Sequence, residues 1–439
     1  MTGLVKKMQN ALKQRVCAAI DAARPDILAW GRQIASAPEL GFKETQTSRL
    51  VRGAFDSLGI PYEYPLALTG VKGRLSGKPG PVNICLIGEM DAVVCMGHPG
   101  MDSLTGAAHA CGHNAQVAAL LGAACGLAKS GVMEQLWGGV RFFAVPAEEY
   151  IDLEYRRHLA EGGAIQYFSG KQQLIAEGAF DDISMAIMVH ALAESPAPGL
   201  RLMCGSLGFV AKEIRFHGRQ AHASEPHKGV NALNAAMLAL MGIHANRETF
   251  RDEDSIRVHP IITHGGDVVN CVPAHVAMET AVRGKSAAAV ADASQKVDRA
   301  IHGAAMAVGA SAEIRDTPGY LPLAQDAALS RAFEENARAM LPQGAILIGG
   351  DMTGSTDMGD LCHLMPCIHP LLGGFSGALH DRDFCVADPE AAYILPAKLM
   401  AMTVVDLLAD HGAAGERVLE SFTPSMRRED YLQYLNHNK

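Results

Sequence analysis

The chain has 439 residues, of which 49% are hydrophobic and 19% are charged, and its formal net charge is −9. A single hydrophobic core seldom extends beyond about 250 to 300 residues, so we predict two domains. Because the net charge is negative and no run of basic residues occurs, a phosphate backbone would find no complementary surface, and we expect no nucleic-acid partner.

The N-terminal segment, residues 1–27, is predicted to form an amphipathic helix. Its charged residues interrupt the apolar core that a secretory signal needs, so we predict no such signal. We also predict that no segment spans a membrane and that no membrane partner exists. Ten cysteines at irregular spacings are typical of reduced thiols rather than of a disulfide framework. These features predict a cytoplasmic protein.

Four short apolar runs predict buried strands, and they are Val82 to Ile87, Val140 to Val145, Ile183 to Val189 and Cys367 to Leu372. Helical patterns lie between them, including one helix from Asn114 to about Lys129. Strands that alternate with helices predict an α/β fold with a mostly parallel sheet and helices on both faces. In such folds, functional sites form at the carboxyl ends of the strands.

The pattern changes between Ser206 and Thr317. The predicted elements are, in order, strand Phe209 to Phe216, helix Ala232 to Arg247, strands Ile256 to Thr263 and His275 to Arg283, helix Ala287 to Val308 and strand Ala312 to Asp316. This βαββαβ order is that of an α+β ferredoxin-like unit. We therefore predict a catalytic domain from residues 1–205 and 318–439, interrupted by a lid or dimerisation domain at residues 206–317.

Residue types that bind metals follow the predicted strands. They are Glu89 and Asp91 after the first strand, Glu148 and Glu149 after the second, His190 after the third, and His380 in a glycine-rich loop after the fourth. Cys111 and His113 precede a predicted helix, whose N-terminus we expect to favour a thiolate. Each of these residues alone has an ordinary interpretation, such as a buried cysteine, a solvated glutamate pair or a core histidine.

Together, one cysteine, three histidines and one glutamate exceed the four ligands of a structural zinc site and suit two metals about 3.5 to 4 Å apart. Adjacent carboxylates after a buried strand would cost several kcal/mol if they were desolvated without a partner, and a metal removes that cost. In the pair Glu148–Glu149, one carboxylate can bind metal while the other accepts a proton from metal-bound water. The sequence therefore predicts a dinuclear metallohydrolase.

Six motifs occur in a fixed order within residues 30–405. They are Gly-Glu-Met-Asp91-Ala, His-Ala-Cys111-Gly-His113-Asn, Pro-Ala-Glu148-Glu149, Val-His190, Ala-His222-Ala-Ser-Glu-Pro-His227-Lys-Gly and the late His380. In content and order they resemble the motifs of the aminoacylase and carboxypeptidase superfamily of dinuclear metallohydrolases. The Cys-Gly-His motif resembles the N-acyl-amino-acid amidohydrolase branch, which contains hippurate, indoleacetyl-amino-acid and p-aminobenzoyl-glutamate hydrolases.

The resemblance implies two divalent metal ions per subunit, zinc or manganese first, with cobalt or nickel as further candidates. The implied ligands are Cys111, His113, Glu149, His190 and His380. Glu148 would be the general base, and Asp91 would orient the site from behind the ligands. Asn114 and Glu89 stand where aspartate is usual in this branch, and we expect both changes to tune the metal loop.

The resemblance also implies a homodimer formed through the inserted domain. His222 would reach into the partner subunit's active site and stabilise the tetrahedral oxyanion. Three further residues are expected to contact the substrate, namely Asn270, Arg283 and His227. A turn-forming asparagine and a solvated arginine are the ordinary alternatives for the first two.

The predicted reaction is hydrolysis of the amide bond of an N-acyl amino acid or small peptide by metal-bound hydroxide, with Glu148 as base. The acyl group is expected to be aromatic in a p-aminobenzoyl-glutamate-like substrate. A dipeptidase or desuccinylase of the same superfamily and a catalytically silent metal-binding subunit remain alternatives. A serine hydrolase is disfavoured because Gly374-Phe375-Ser376-Gly377-Ala378 lacks the final glycine of the nucleophile elbow.

Overall fold

The computed structural model describes residues 3–437, which divide into two compact units. The first unit comprises the chain up to Cys204 together with Ala324–Gly350 and Leu361–Ser425. The second comprises Gly205–Leu323, Asp351–Asp360 and a C-terminal segment that starts at Met426. The predicted domain limits at residues 206 and 317 omit the last two segments of the second unit, and those limits stay a prediction.

The described residues form thirteen α-helices, which are α1 Gly3–Ala22, α2 Arg24–Ala35, α3 Thr45–Leu58, α4 His113–Lys129, α5 Leu153–Glu161, α6 Gly170–Ala176, α7 Ala232–Ala245, α8 Ala287–Ala307, α9 Ala327–Met340, α10 Met358–Cys362, α11 Leu395–Leu408, α12 Ala413–Ser421 and α13 Arg428–His437. Helix α1 confirms the predicted N-terminal helix as far as Ala22, but a second helix, α2, begins at Arg24 within the predicted range. Residues 1 and 2 lie outside the described residues. Helix α4 confirms the predicted helix near Asn114, since it begins one residue earlier and ends at Lys129.

The strands of the same residues are β1 Tyr62–Leu66, β2 Gly70–Ser76, β3 Lys78–Glu89, β4 Val93–Val94, β5 Ala107–Ala108, β6 Trp137–Val145, β7 Met185–Met188, β8 His190–Ala191, β9 Leu200–Leu202, β10 Gly208–His217, β11 Arg257–Val258, β12 Ile261–His264, β13 His275–Gly284, β14 Ser311–Pro318, β15 Ile346–Ile348, β16 Cys367–Ile368, β17 Leu371–Leu372, β18 Phe375–Ser376 and β19 Cys385–Val386. Two predicted strands are each divided in the structure, at Pro260 and at Pro370. Proline has no backbone N–H to donate to a sheet, which explains both interruptions.

The central sheet of the first unit has the strand order β1-β2-β6-β3-β7-β16. Strand β3 pairs in parallel with β6 and β7, and β7 pairs in parallel with β16. Strand β2 pairs antiparallel with β1 on one side and with β6 on the other. The parallel strands are apolar on both faces because helices such as α4 and α11 pack against them. The predicted mostly parallel α/β sheet is confirmed, and β3 and β6 both end beside the candidate site.

One described helical stretch, Glu390–Leu408, is long and apolar enough to cross a membrane. This finding differs from our prediction that no segment has that character. However, 83% of the tested window is buried inside the fold. Helix α11, which forms most of this stretch, packs against α1, α4 and α9, so its apolar surface is already covered as in a core helix.

The second unit contains an antiparallel sheet with the order β11-β13-β10-β14, in which β12 also pairs with β13. Strands β10 and β13 pair over their whole length, and β10 pairs with β14 on its other side. Helices α7 and α8 pack on each other and on this sheet, and their apolar residues form a separate core. The predicted inserted ferredoxin-like βαββαβ unit is confirmed.

Candidate metal centre

The candidate metal ligands all belong to the first unit and come from strand ends, from the start of α4 and from loops. Strand β3 ends at Glu89, β6 is followed by Glu148 and Glu149, β8 begins at His190, and α4 begins at His113. Three groups of potential ligands form, each with ligand atoms within 4.8 Å of one another: Cys111, His113 and His190; Cys111, Glu149 and His380; and Glu89, His113 and Glu148. All five predicted metal ligands and Glu148 are therefore brought together.

Cys111 lies at the centre of this arrangement. Its Sγ is 3.5 Å from His190 Nε2 and 3.3 Å from His380 Nε2. His380 Nε2 is in turn 3.1 Å from Glu149 Oε1. Because Cys111 belongs to two of the three groups, its sulfur could serve as a ligand in either of them.

The backbone adopts uncommon conformations at three places in the site. Gly112, between Cys111 and His113, has φ +85°, and a Cβ there would lie 2.8 Å from the Cβ of Ala191. Ala147 and His380 also have positive φ values, 54° and 63°. Such conformations are unfavourable for residues other than glycine and persist where the surroundings enforce them, often at functional sites.

Asp91 connects two predicted ligands. Its backbone oxygen lies 2.9 Å and its Oδ1 3.2 Å from His113 Nδ1, and its Oδ2 accepts a hydrogen bond from the Glu149 backbone N–H at 2.9 Å. The hydrogen bond from His113 lowers the pKa of Asp91, although burial acts in the opposite direction. These contacts fix the His113 ring and the Glu149 loop in the way expected of an orienting carboxylate.

The electrostatics of Cys111 differ from our prediction. We expected the helix N-terminus to favour a thiolate, but burial and the nearby Glu149 carboxylate raise the pKa of the Cys111 thiol well above its usual value. The prediction was wrong because it considered only the helix end and omitted burial and the neighbouring negative charge. A divalent cation reverses this balance, since a coordinating thiol loses its proton.

The buried polar atoms of the site and its donor types also fit a metal ion. His113 Nε2 and Glu149 Oε1 are buried, and within the described residues neither makes a hydrogen bond of regular geometry, although His113 Nε2 faces Glu89 and Glu149 Oε1 faces His380. A buried polar atom without a partner costs about 1 to 3 kcal/mol, so such atoms are uncommon unless a ligand or ion completes the site. Sulfur, imidazole nitrogen and carboxylate oxygen together are the donor types of zinc and related divalent ions.

Two cations lie beside these ligands, and their burial was not predicted. Arg156, fully buried in α5, donates hydrogen bonds to the backbone oxygens of Glu149 and Phe168 and so supports the loop that carries the glutamate pair. Lys171, fully buried in α6, pairs with Glu89. Neither residue lies in a metal-type motif, and long cationic side chains are usually exposed.

The remaining predicted site residues belong to the second unit. His222 is exposed, with Nδ1 2.7 Å from Ser224 Oγ, and the Asn270 backbone oxygen accepts from the N–H of Ala223 at 2.9 Å. The loops of His222 and Asn270 therefore lie side by side. His227 is exposed in the short turn Pro226–Lys228. Their predicted roles stay predictions.

Arg283 lies on β13 of the second unit and is partly buried. Its guanidinium donates to Ser355 Oγ at 2.8 Å and lies 5.0 Å from the centroid of the Phe209 ring. Burial lowers its pKa. The ordinary alternative of a fully solvated arginine does not hold, and a role in substrate binding stays a prediction.

Comparison with known proteins gives consistent results. Residues 204–307 match the family model of the M20 peptidase dimerisation domain. The Xaa-Arg dipeptidase of Homo sapiens is 28% identical over 450 aligned positions, which cover 96% of this chain and 94% of that protein. The IAA-amino acid hydrolase ILR1-like 2 of Arabidopsis thaliana is 27% identical, and the alignment covers 80% of this chain and 78% of that protein.

Solved structures show the same fold. The YXEP protein of Bacillus subtilis, described as a dinuclear metal binding peptidase from the M20 family, matches with a TM-score of 0.70 at 22% identity, covering 88% of this chain and 99% of that one. The aminobenzoyl-glutamate utilization protein from Klebsiella pneumoniae matches with a TM-score of 0.64 at 21% identity, covering 88% of this chain and 97% of that one. In its motifs, inserted domain and clustered ligand residues, the chain is similar to the M20 superfamily of metal-dependent peptidases and amidohydrolases.

Proposed function

We propose that this protein hydrolyses the amide bond of a dipeptide or of an N-acyl amino acid. The proposed metal ligands are Cys111, His113, Glu149, His190 and His380. One observation carries the proposal: these five side chains converge around the sulfur of Cys111, and Glu148 lies beside them within the group that contains His113. A merely structural metal site would have no use for the additional carboxylate.

The proposed mechanism assigns a separate task to each residue. When bound, the two metals supply Lewis acidity, which polarises water and a carbonyl oxygen. Glu148, only 7% exposed, accepts the proton of the attacking water and later delivers it to the leaving nitrogen. Asp91 holds the His113 ring and the Glu149 backbone in place during these steps. His222, from the partner subunit, donates a hydrogen bond to the oxyanion.

The full-length similarity to the Xaa-Arg dipeptidases supports a dipeptide with a basic C-terminal residue as the first substrate class to test. Indoleacetyl-amino acids are the second class, since the IAA-amino acid hydrolases match over a smaller share of the chain. Hippurate and p-aminobenzoyl-glutamate complete the panel as aromatic acyl substrates. Succinylated amino acids test the desuccinylase alternative.

We expect protein loaded with zinc or manganese to release free amino acid from one of these classes with kcat/KM at least about tenfold above the others. The released amine is quantified by chromatography, with chelator-treated protein as the control. If metal-loaded protein cleaves no compound of the panel, the catalytically silent metal-binding subunit becomes the better interpretation. The test compares both metals, because a thiolate suits zinc and carboxylates also suit manganese.

Dimerisation through the inserted domain is part of the proposal, and mixing two inactive variants tests it. His222→Ala and Glu148→Gln are each expected to be nearly inactive as homodimers. If His222 acts on the partner's site, a mixed dimer contains one intact site, so random reassembly should restore about a quarter of the wild-type activity. Activity is measured after unfolding and joint refolding. No recovery, or a fully active monomer, would contradict the shared site.

We also propose a cytoplasmic location. All ten cysteines are free, and nine of them are at least partly covered by the fold, with Cys85, Cys125 and Cys367 fully buried. Reduced thiols in this number are typical of a reducing compartment.

A further inference from the structure

A buried ion pair lies next to the proposed metal ligands. Lys171 and Glu89 are both fully buried, and Lys171 Nζ is 2.5 Å from Glu89 Oε1. Gln116 Nε2 donates a hydrogen bond to the other oxygen, Glu89 Oε2, at 2.7 Å. Removing two charges from water is costly, and a pair of apolar residues of similar volume often stabilises a protein at least as well. The pair therefore calls for a functional explanation.

The Glu89 carboxylate also faces an imidazole nitrogen. Glu89 Oε2 is 3.2 Å from His113 Nε2, which is buried and has no hydrogen-bond partner among the residues that the structure describes. His113 Nδ1 lies near two oxygens of Asp91, a backbone carbonyl and a carboxylate, so Nδ1 is the nitrogen that carries hydrogen. In the neutral ring, Nε2 then presents a lone pair to a carboxylate oxygen.

Two acceptor atoms at this distance repel each other unless a proton on Nε2 or a metal ion lies between them. Glu148 also contributes a carboxylate oxygen within 4.8 Å of both, so the three side chains form an oxygen-rich group that does not include Cys111. We propose that Glu89 is a sixth metal ligand, on the metal that His113 binds, and that Lys171 is a positioning residue that holds the Glu89 carboxylate. This inference rests on the proposed metal centre. Glu148 keeps its role as proton acceptor beside the same metal.

The proposal makes the two metal positions chemically different. The groups around Cys111 provide sulfur, whereas Glu89 adds a hard oxygen ligand to the position of His113. Carboxylates suit manganese, while thiolate and imidazole suit zinc. Glu89 should therefore matter more for binding manganese than for binding zinc.

The first experiment compares metal binding by Glu89→Gln with that of the matched control Glu44→Gln. Glu44 is also a fully buried carboxylate of the first unit, but it bonds Thr69 and the Ala147 backbone and belongs to none of the ligand groups. Metal content is measured by mass spectrometry, and affinity by competition with a chelating dye. We expect Glu89→Gln to weaken one of the two bound metals at least about tenfold, most strongly for manganese. Glu44→Gln should bind both metals like the wild type.

The second experiment uses the melting temperature of metal-free and metal-loaded protein. Lys171→Met leaves Glu89 without its partner, so the metal-free variant should melt well below the metal-free wild type. Metal should recover most of this loss, because the bound cation replaces the ammonium as the partner of Glu89. The double variant Glu89→Gln/Lys171→Met removes both charges, so it should regain the metal-free melting temperature while keeping the weak metal binding of Glu89→Gln.

The outcomes separate this inference from the proposed function. If Glu89→Gln, or the double variant where the single one fails to fold, binds both metals with wild-type affinity, Glu89 is not a ligand and the pair is structural. If metal restores no stability to Lys171→Met, the positioning role of Lys171 is wrong. If the wild type itself binds no metal, the proposed function fails before this inference is reached.

Discussion

Replacing Glu148 with Gln is expected to lower kcat by about 10²- to 10⁴-fold while both metals stay bound. Glutamine has the shape of glutamate but cannot accept a proton, so the variant removes one chemical step and little else. Glu148 is well placed for that step, since it is nearly buried, follows β6 and lies within 4.8 Å of a ligand atom of His113. It belongs to neither of the two groups around Cys111, so metal binding there should persist.

The measurement pairs steady-state kinetics with metal analysis of the same sample. Glu149→Gln is the matched control, because it makes the same chemical change at the adjacent residue, whose Oε1 faces His380. We expect the control to lose metal together with activity, whereas Glu148→Gln should lose activity alone. Full turnover by metal-loaded Glu148→Gln would exclude Glu148 as the general base.

The fold was largely predictable because its signals are local. Apolar runs that alternate with helical patterns identified the parallel strands, and the strand and helix order of residues 206–317 identified the inserted unit. The interruptions at Pro260 and Pro370 were also visible as prolines within predicted strands. By contrast, Asp351–Asp360 and the C-terminal segment group with the second unit through long-range packing, which has no periodic signal in the sequence.

The site was predictable to the extent that its residues stand in motifs at strand ends. The sequence-predicted ligands Cys111, His190 and His380 come together although they lie far apart in the chain. The burial of Lys171 and Arg156 was not predictable, because burial of a long cation depends on partners supplied by distant segments. The error about the Cys111 thiol has the same origin, since Glu149 reaches the sulfur only in the folded protein.

Replacing Cys111 with Ala is expected to remove both metals and to reduce activity to the background level. The sulfur belongs to the group with His113 and His190 and also to the group with Glu149 and His380, so one substitution affects two metal positions. We expect each metal to bind more than about 100-fold more weakly, since even residues behind the ligands contribute 10- to 100-fold. Metal should consequently no longer raise the melting temperature of the variant.

Two further variants make this result specific to the shared sulfur. Cys125→Ala makes the same change at a fully buried cysteine of α4 outside every ligand group, so it should bind both metals and lose only packing stability. His380→Ala removes a ligand that belongs to one group alone, so it should keep one metal per subunit. If Cys111→Ala also keeps one tightly bound metal, its sulfur serves a single position. The two groups around Cys111 would then be alternative descriptions of one site, and the case for a shared thiolate would fail.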